Sequence, residues 1–108
     1  MTHLLWSLLA IAALSAAPGK QTFTGVVTDD ECGGAGHSHM RMGATDAECT
    51  VACIGAHGAK YVLLDGKKVY ALSDQQTPEQ FAGKKVRVTG TLDPKTQTIR
   101  VDSIRAVK

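Results

Sequence analysis

Aromatic side chains are scarce. The 108 residues include one Trp, two Tyr and two Phe. Proteins that hold single-stranded nucleic acid stack several bases on exposed rings. With Tyr61 and Tyr70 as the only candidates on the second and third strand-like segments, that function class is not expected. Charge of one sign is also lacking: twelve Lys and Arg are interspersed with ten Asp and Glu, for a net charge of +2. That is a soluble surface without a basic footprint. The Cys-x-x-Cys of disulfide oxidoreductases and the Cys-x-x-Cys-His of haem attachment are both missing. No apolar run is long enough to cross a bilayer. The longest, Leu4 to Ala17, is broken only by Ser7 and Ser15 and ends in small residues. It has the length and composition of a secretory h-region with its cleavage site.

Residues 1–17 are therefore expected to be a signal peptide, cut between Ala16 and Gly19, although Met1-Thr2-His3 carries no Lys or Arg. The alternative is a buried N-terminal helix, which Pro18-Gly19 would separate from the rest of the chain. Export implies a periplasmic or extracellular protein that is not membrane-bound after cleavage. The remaining domain, residues 20–108, has a thin core and gains from a disulfide or a metal.

The domain alternates short β-type runs with turns. Gln21 to Asp29 suits a strand with Gly25 as a bend. Thr45-Asp46-Ala47-Glu48 is a capping box, predicting a helix from about Asp46 to about Ile54 that ends at Gly55 or Gly58. Lys60 to Ser73 reads as a hairpin around Asp65-Gly66, with a type I′ turn. Thr77-Pro78 starts a helical turn with Thr77 as N-cap, and Gly83 stops it. Val86, Val88, Gly90 and Leu92 share one face of a fourth strand. Thr98 to Val107 is the fifth. There Ile104 falls out of phase with Ile99 and Val101, which predicts a bulge near Asp102-Ser103. These elements predict a mainly β fold: a small five-stranded antiparallel OB-like barrel. One short helix is inserted between strands one and two, and a helical turn precedes strand four.

The tail FAGKKVRVTGTLDPKTQTIRVDSIRAV, preceded by the Asp-Gly hairpin, resembles the last half of secreted bacterial OB-fold domains. The chain from residue 20 onward is similar to small exported bacterial proteins of unknown function. Those proteins carry an early TDDECG-like segment and a later Cys-x-x-x-Cys. The helix between strands one and two departs from the usual OB order.

All three cysteines, three of the four histidines and two of the three methionines fall between Cys32 and His57. Cys49 and Cys53, four apart on a helix, share a face, and their parallel side chains disfavour a bridge between them. Two readings are open. In one, Cys32 pairs with Cys49 or Cys53 and pins the helix to the strand, leaving one cysteine over. In the other, Cys32, Cys49, Cys53 and a histidine form a Cys₃His set that zinc accepts, though at no standard spacing.

His37, His39, Met40 and Met42, between Gly36 and Gly43, offer two imidazoles and two thioethers to one ion. Thioethers favour Cu(I), and imidazole serves either oxidation state of copper. The resemblance to copper-carrying periplasmic OB proteins is in ligand chemistry only. Their ion-covering Trp has no counterpart, since Trp6 lies in the signal segment. The competing reading is a polar glycine-rich loop whose His and Met are incidental. Asp29-Asp30-Glu31 is an acidic run that could help hold a cation, but it reads first as a solvated strand end. His57 near Cys53 suggests a base beside a nucleophile, but no orienting or oxyanion group accompanies it. No enzyme is expected. The expectation is a monomeric binding module for a soft metal, copper before zinc. The alternative is a structural or interaction domain with one disulfide and an unknown protein partner.

Overall fold

The computed structural model describes residues 19–33 and 43–108. The expected signal segment 1–17 lies outside them. In chain order the elements are β1 (Gln21–Asp29), α1 (Asp46–His57), β2 (Tyr61–Asp65) and β3 (Lys68–Leu72). A short 3₁₀ helix (Thr77–Phe81), β4 (Lys85–Asp93) and β5 (Thr98–Ala106) follow.

The five strands form one mixed sheet whose hydrogen bonding runs in a ring, β1-β2-β3-β5-β4 and back to β1. The expected all-antiparallel arrangement fails at one seam, where β3 and β5 run parallel through Ala71–Thr98 and Leu72–Ile99. Parity explains it. Strand direction cannot alternate all the way around a ring of five, so one neighbouring pair must be parallel. The other four pairings are antiparallel, which leaves β3–β5 as that pair.

Because β1 serves two neighbours in succession, its geometry matters. Residues Gln21 to Val26 pair with β4, and Val26 to Asp29 pair with β2. At the changeover, a Cβ on Gly25 would lie 2.5 Å from the Leu64 carbonyl oxygen, so only glycine admits that approach. The β2–β3 turn differs from the expected type I′. Asp65 pairs with Lys68, leaving Gly66-Lys67 as the two loop residues. Of these only Gly66 has positive φ, at 60°. That is the type II′ pattern, with glycine first. Between β4 and β5 the register steps from Thr89–Ser103 to Gly90–Val101, so Asp102 is the extra residue. The expected bulge is there.

Side chains alternate as a half-buried sheet requires. Val27, Leu63, Val86, Val88 and Ile99 are fully enclosed, with Tyr61, Tyr70, Leu72 and Ala82 nearly so. Leu92 is only half-buried. The helical turn is capped differently from the expectation. Thr77 makes no cap; Asp74 Oδ1 instead accepts from the amides of Gln76 at 2.9 Å and Thr77 at 3.0 Å.

Helix α1 packs on the end of β1 and forms a second, smaller core with it: Cys32, Cys49, Cys53 and Ala59, flanked by Ile54. Among the described residues no helix is long and apolar enough to cross a membrane.

Candidate functional site

The site lies where β1 ends against α1. The helix starts as its sequence dictates: the Thr45 hydroxyl accepts from the Glu48 amide at 3.1 Å. The Glu48 carboxylate reaches back to the amide of Ala44 at 3.1 Å, one residue further out than in a standard capping box. The helix runs to His57, beyond the expected Ile54, and stops at Gly58. Gly58 has φ 68° and ψ 24° and sends its amide to the Cys53 carbonyl, the left-handed termination that glycine favours. Cys49 and Cys53 are thereby held one turn apart on the buried face, both with no solvent exposure.

Cys32 is fixed by the turn after β1. The Asp29 carboxylate accepts from the amides of Glu31 (3.0 Å), Cys32 and Gly33 (3.3 Å). Asp29 is itself fully buried. The expectation of a solvated acidic strand end is therefore wrong at Asp29, whose charge is met by three backbone donors. The next residue ties β1 to β2: Asp30 Oδ1 accepts from the Lys60 amide at 2.9 Å, and the Asp30 amide donates to the Lys60 carbonyl at 3.0 Å. Behind the turn, the hydroxyls of Thr28 and Thr50 meet at 3.4 Å, joining strand to helix in the interior. Gly33 packs on the Thr28 side chain so closely that no Cβ fits there.

Cys32 and Cys53 are bonded as a disulfide, with Cα atoms 6.6 Å apart. Of the two pairings open to the sequence, the structure has the one to the second helical cysteine. Cys49 lies outside the bridge but beside it. The sulfurs of Cys32, Cys49 and Cys53 all fall within 4.8 Å of one another. Such a trio can hold a soft ion when reduced. His57, at the exposed end of α1, does not join the group. His37, His39, Met40 and Met42 lie outside the described residues. The segment that carries them leaves directly after Cys32-Gly33 and returns at Gly43. A Cβ on Gly43 would come within 2.9 Å of the Cys49 amide nitrogen. Gly33 thus follows Cys32 directly, and Gly43 packs against the backbone of Glu48 and Cys49 at the start of α1.

A match to a family described as "Protein of unknown function (DUF5818)" covers residues 54–107, half of the chain. The chain belongs to that family. The DUF5818 match takes in β2 to β5, while β1, which closes the ring between β2 and β4, precedes it. All three cysteines also precede it. No curated protein and no solved structure matches the chain.

Two features escaped sequence reasoning. One is Asp29 as the anchor of Cys32; an Asp followed three residues later by Cys-Gly fits a side-chain-capped turn and could have signalled it. The other is an apolar groove of ≈ 490 Å³ between α1 and the 3₁₀ helix, floored by Ala47, Val51, Ala52 and Ala82 and edged by Glu48 and Glu79. No spacing in the sequence brings these two short helices together.

Proposed function

We propose that this chain is an exported, non-enzymatic OB-like barrel domain acting as a monomeric structural or interaction module, in which one disulfide clamps an inserted helix to the barrel. The observation that carries this reading is the Cys32–Cys53 bond joining the end of β1 to α1. Disulfides of this kind persist outside the cytoplasm, and a domain this small benefits from one. A ring of five strands with β5 set between β3 and β4 is a Greek-key order, which supports the OB-like assignment. The binding partner would be a protein rather than a nucleic acid or a membrane. A thiol count on the oxidised, denatured protein tests the clamp. One reactive thiol per chain is expected, and three would rule the clamp out.

A second reading is favoured by the sulfur trio. After reduction, Cys32, Cys49 and Cys53 supply three thiolates to one soft ion, with copper preferred to zinc because thiolate and thioether donors suit Cu(I). His37, His39, Met40 and Met42 would be further ligands, on the segment that follows Cys32-Gly33 in the chain. Copper titration of the wild type and of a chain carrying both His39→Ala and Met40→Ala tests their part. Equal weak binding by both would eliminate it.

A further inference from the structure

We propose that Cys32, Cys49 and Cys53 form a buried thiol–disulfide exchange site in which Cys32 can be bridged to either helical cysteine. The inference rests on the clamp reading for the resting Cys32–Cys53 bond and extends it to a second, isomeric bridge. Three observations carry it. The three sulfurs lie within 4.8 Å of one another, so a third sulfur stands beside the bond it would attack. Cys49 and Cys53 lie one turn apart on the same face of α1, and Cys32 faces both from a single anchored turn. All three are enclosed, with Cys49 and Cys53 at 0 % and Cys32 at 2 % exposure. Burial keeps soluble thiols away from the bridge and confines exchange to the sulfurs already inside.

The chemistry closes without an outside reagent. The Cys49 thiolate attacks Sγ of Cys32, a Cys32–Cys49 bond forms, and the Cys32–Cys53 bond breaks with its electron pair on Cys53. The Cys53 sulfur takes up the proton that Cys49 gave up, so the chain has one disulfide and one thiol before and after. Attack on Sγ of Cys53 instead would create a bridge between helical residues four apart, whose side chains run parallel, and that isomer would not persist. Exchange therefore moves the strand's attachment by one helical turn, about 6 Å along α1, from beside the Gly58 terminus towards the Thr45 cap.

Oxidised full-length chains carrying Cys53→Ser or Cys49→Ser, compared with wild type, test this. Expected for C53S is loss of both remaining thiols, from two to none on maleimide labelling after denaturation, through a new Cys32–Cys49 bond. Expected for C49S is an intact Cys32–Cys53 bond. In the wild type, labelling after an acid quench should place the maleimide mainly on Cys49 and in a minor fraction on Cys53, as read by fragmentation mass spectrometry. A C53S chain that keeps its far-UV circular dichroism and both thiols would overturn the exchange site. If C53S does not fold, the wild-type label decides: label on Cys53 supports the proposal, and label confined to Cys49 overturns it. A C49S chain without any bridge would sink the clamp reading as well. An intact C49S bridge beside two thiols in a folded C53S would sink the exchange alone.

Discussion

The carboxylate of Asp29 holds the backbone amide of Cys32, and through it the half of the disulfide that β1 contributes. The same oxygen also takes the amides of Glu31 and Gly33. One buried charge thus shapes the turn that delivers the cysteine. Asp29→Ala would orphan three amides, at least two of them in the interior. A single charge-assisted bond is worth about 1.5–3 kcal/mol, and three that share one oxygen do not add in full. A loss of about 3 kcal/mol in urea unfolding is expected, with slower bridge formation from the reduced chain. An unchanged midpoint would refute this role.

Opening the bridge should cost about as much. A disulfide spanning 21 residues, as Cys32–Cys53 does, limits the unfolded chain enough to contribute roughly 3 kcal/mol. Cys32→Ser removes it together with the partner of both helical cysteines. Thermal melts of this variant should fall well below wild type under oxidising conditions and match it closely in excess dithiol. A difference that persists in dithiol would locate the effect in packing rather than in the bond.

Gln75 substitutes for a strand at the start of β2. Its side-chain oxygen accepts from the Tyr61 amide at 2.8 Å, and its nitrogen donates to the carbonyls of Tyr61 at 2.9 Å and Leu72 at 3.0 Å. Gln75→Ala leaves these groups without their partner at a half-buried position, for an expected loss of about 2 kcal/mol. Gln75→Glu keeps the acceptor and loses the donor, so it should fall between. Hydrogen exchange at the Tyr61 amide would report the change directly.

Asp74 gives the fold a modest acid sensitivity. The Thr77 hydroxyl first, and then the amides of Gln76 and Thr77, hold its carboxyl below the usual 3.8. A carboxyl depressed in the folded state stabilises above its unfolded value, and that contribution is lost as pH falls through the folded one. Asp74→Asn keeps an acceptor for the two amides but not the charge, so it should be slightly less stable than wild type at neutral pH. The two should converge as pH drops below about 4. Parallel pH–stability curves would contradict the assignment.

Much of the architecture was legible in the sequence because it rests on local rules. The alternation of Val86, Val88 and Gly90 and the cap at Thr45 each arise from a few neighbouring residues, whereas the choice of Gly58 over Gly55 as the stop does not. The bulge at Asp102 showed itself as the phase slip of Ile104. What was not legible depends on closure. The parallel β3–β5 seam is a property of the ring, and no single strand carries a sign of it. Cys49 and Cys53 face the same way, so helical periodicity could not say which of them Cys32 would meet. That choice is made by where the Asp29 turn points. An acidic run has the same composition whether it faces water or folds over its own amides, which is why Asp29 was misread.

The position of β5 has a consequence for how the chain must be made. Of the described strands it comes last in chain order, yet it seals two seams, one with β3 and one with β4. Until it arrives, both of those strands present bare amides and carbonyls, the surface on which unfinished chains pair with one another. Loss of the segment from Thr98 onward would leave that hazard permanent, turning a sheet without edges into one with two.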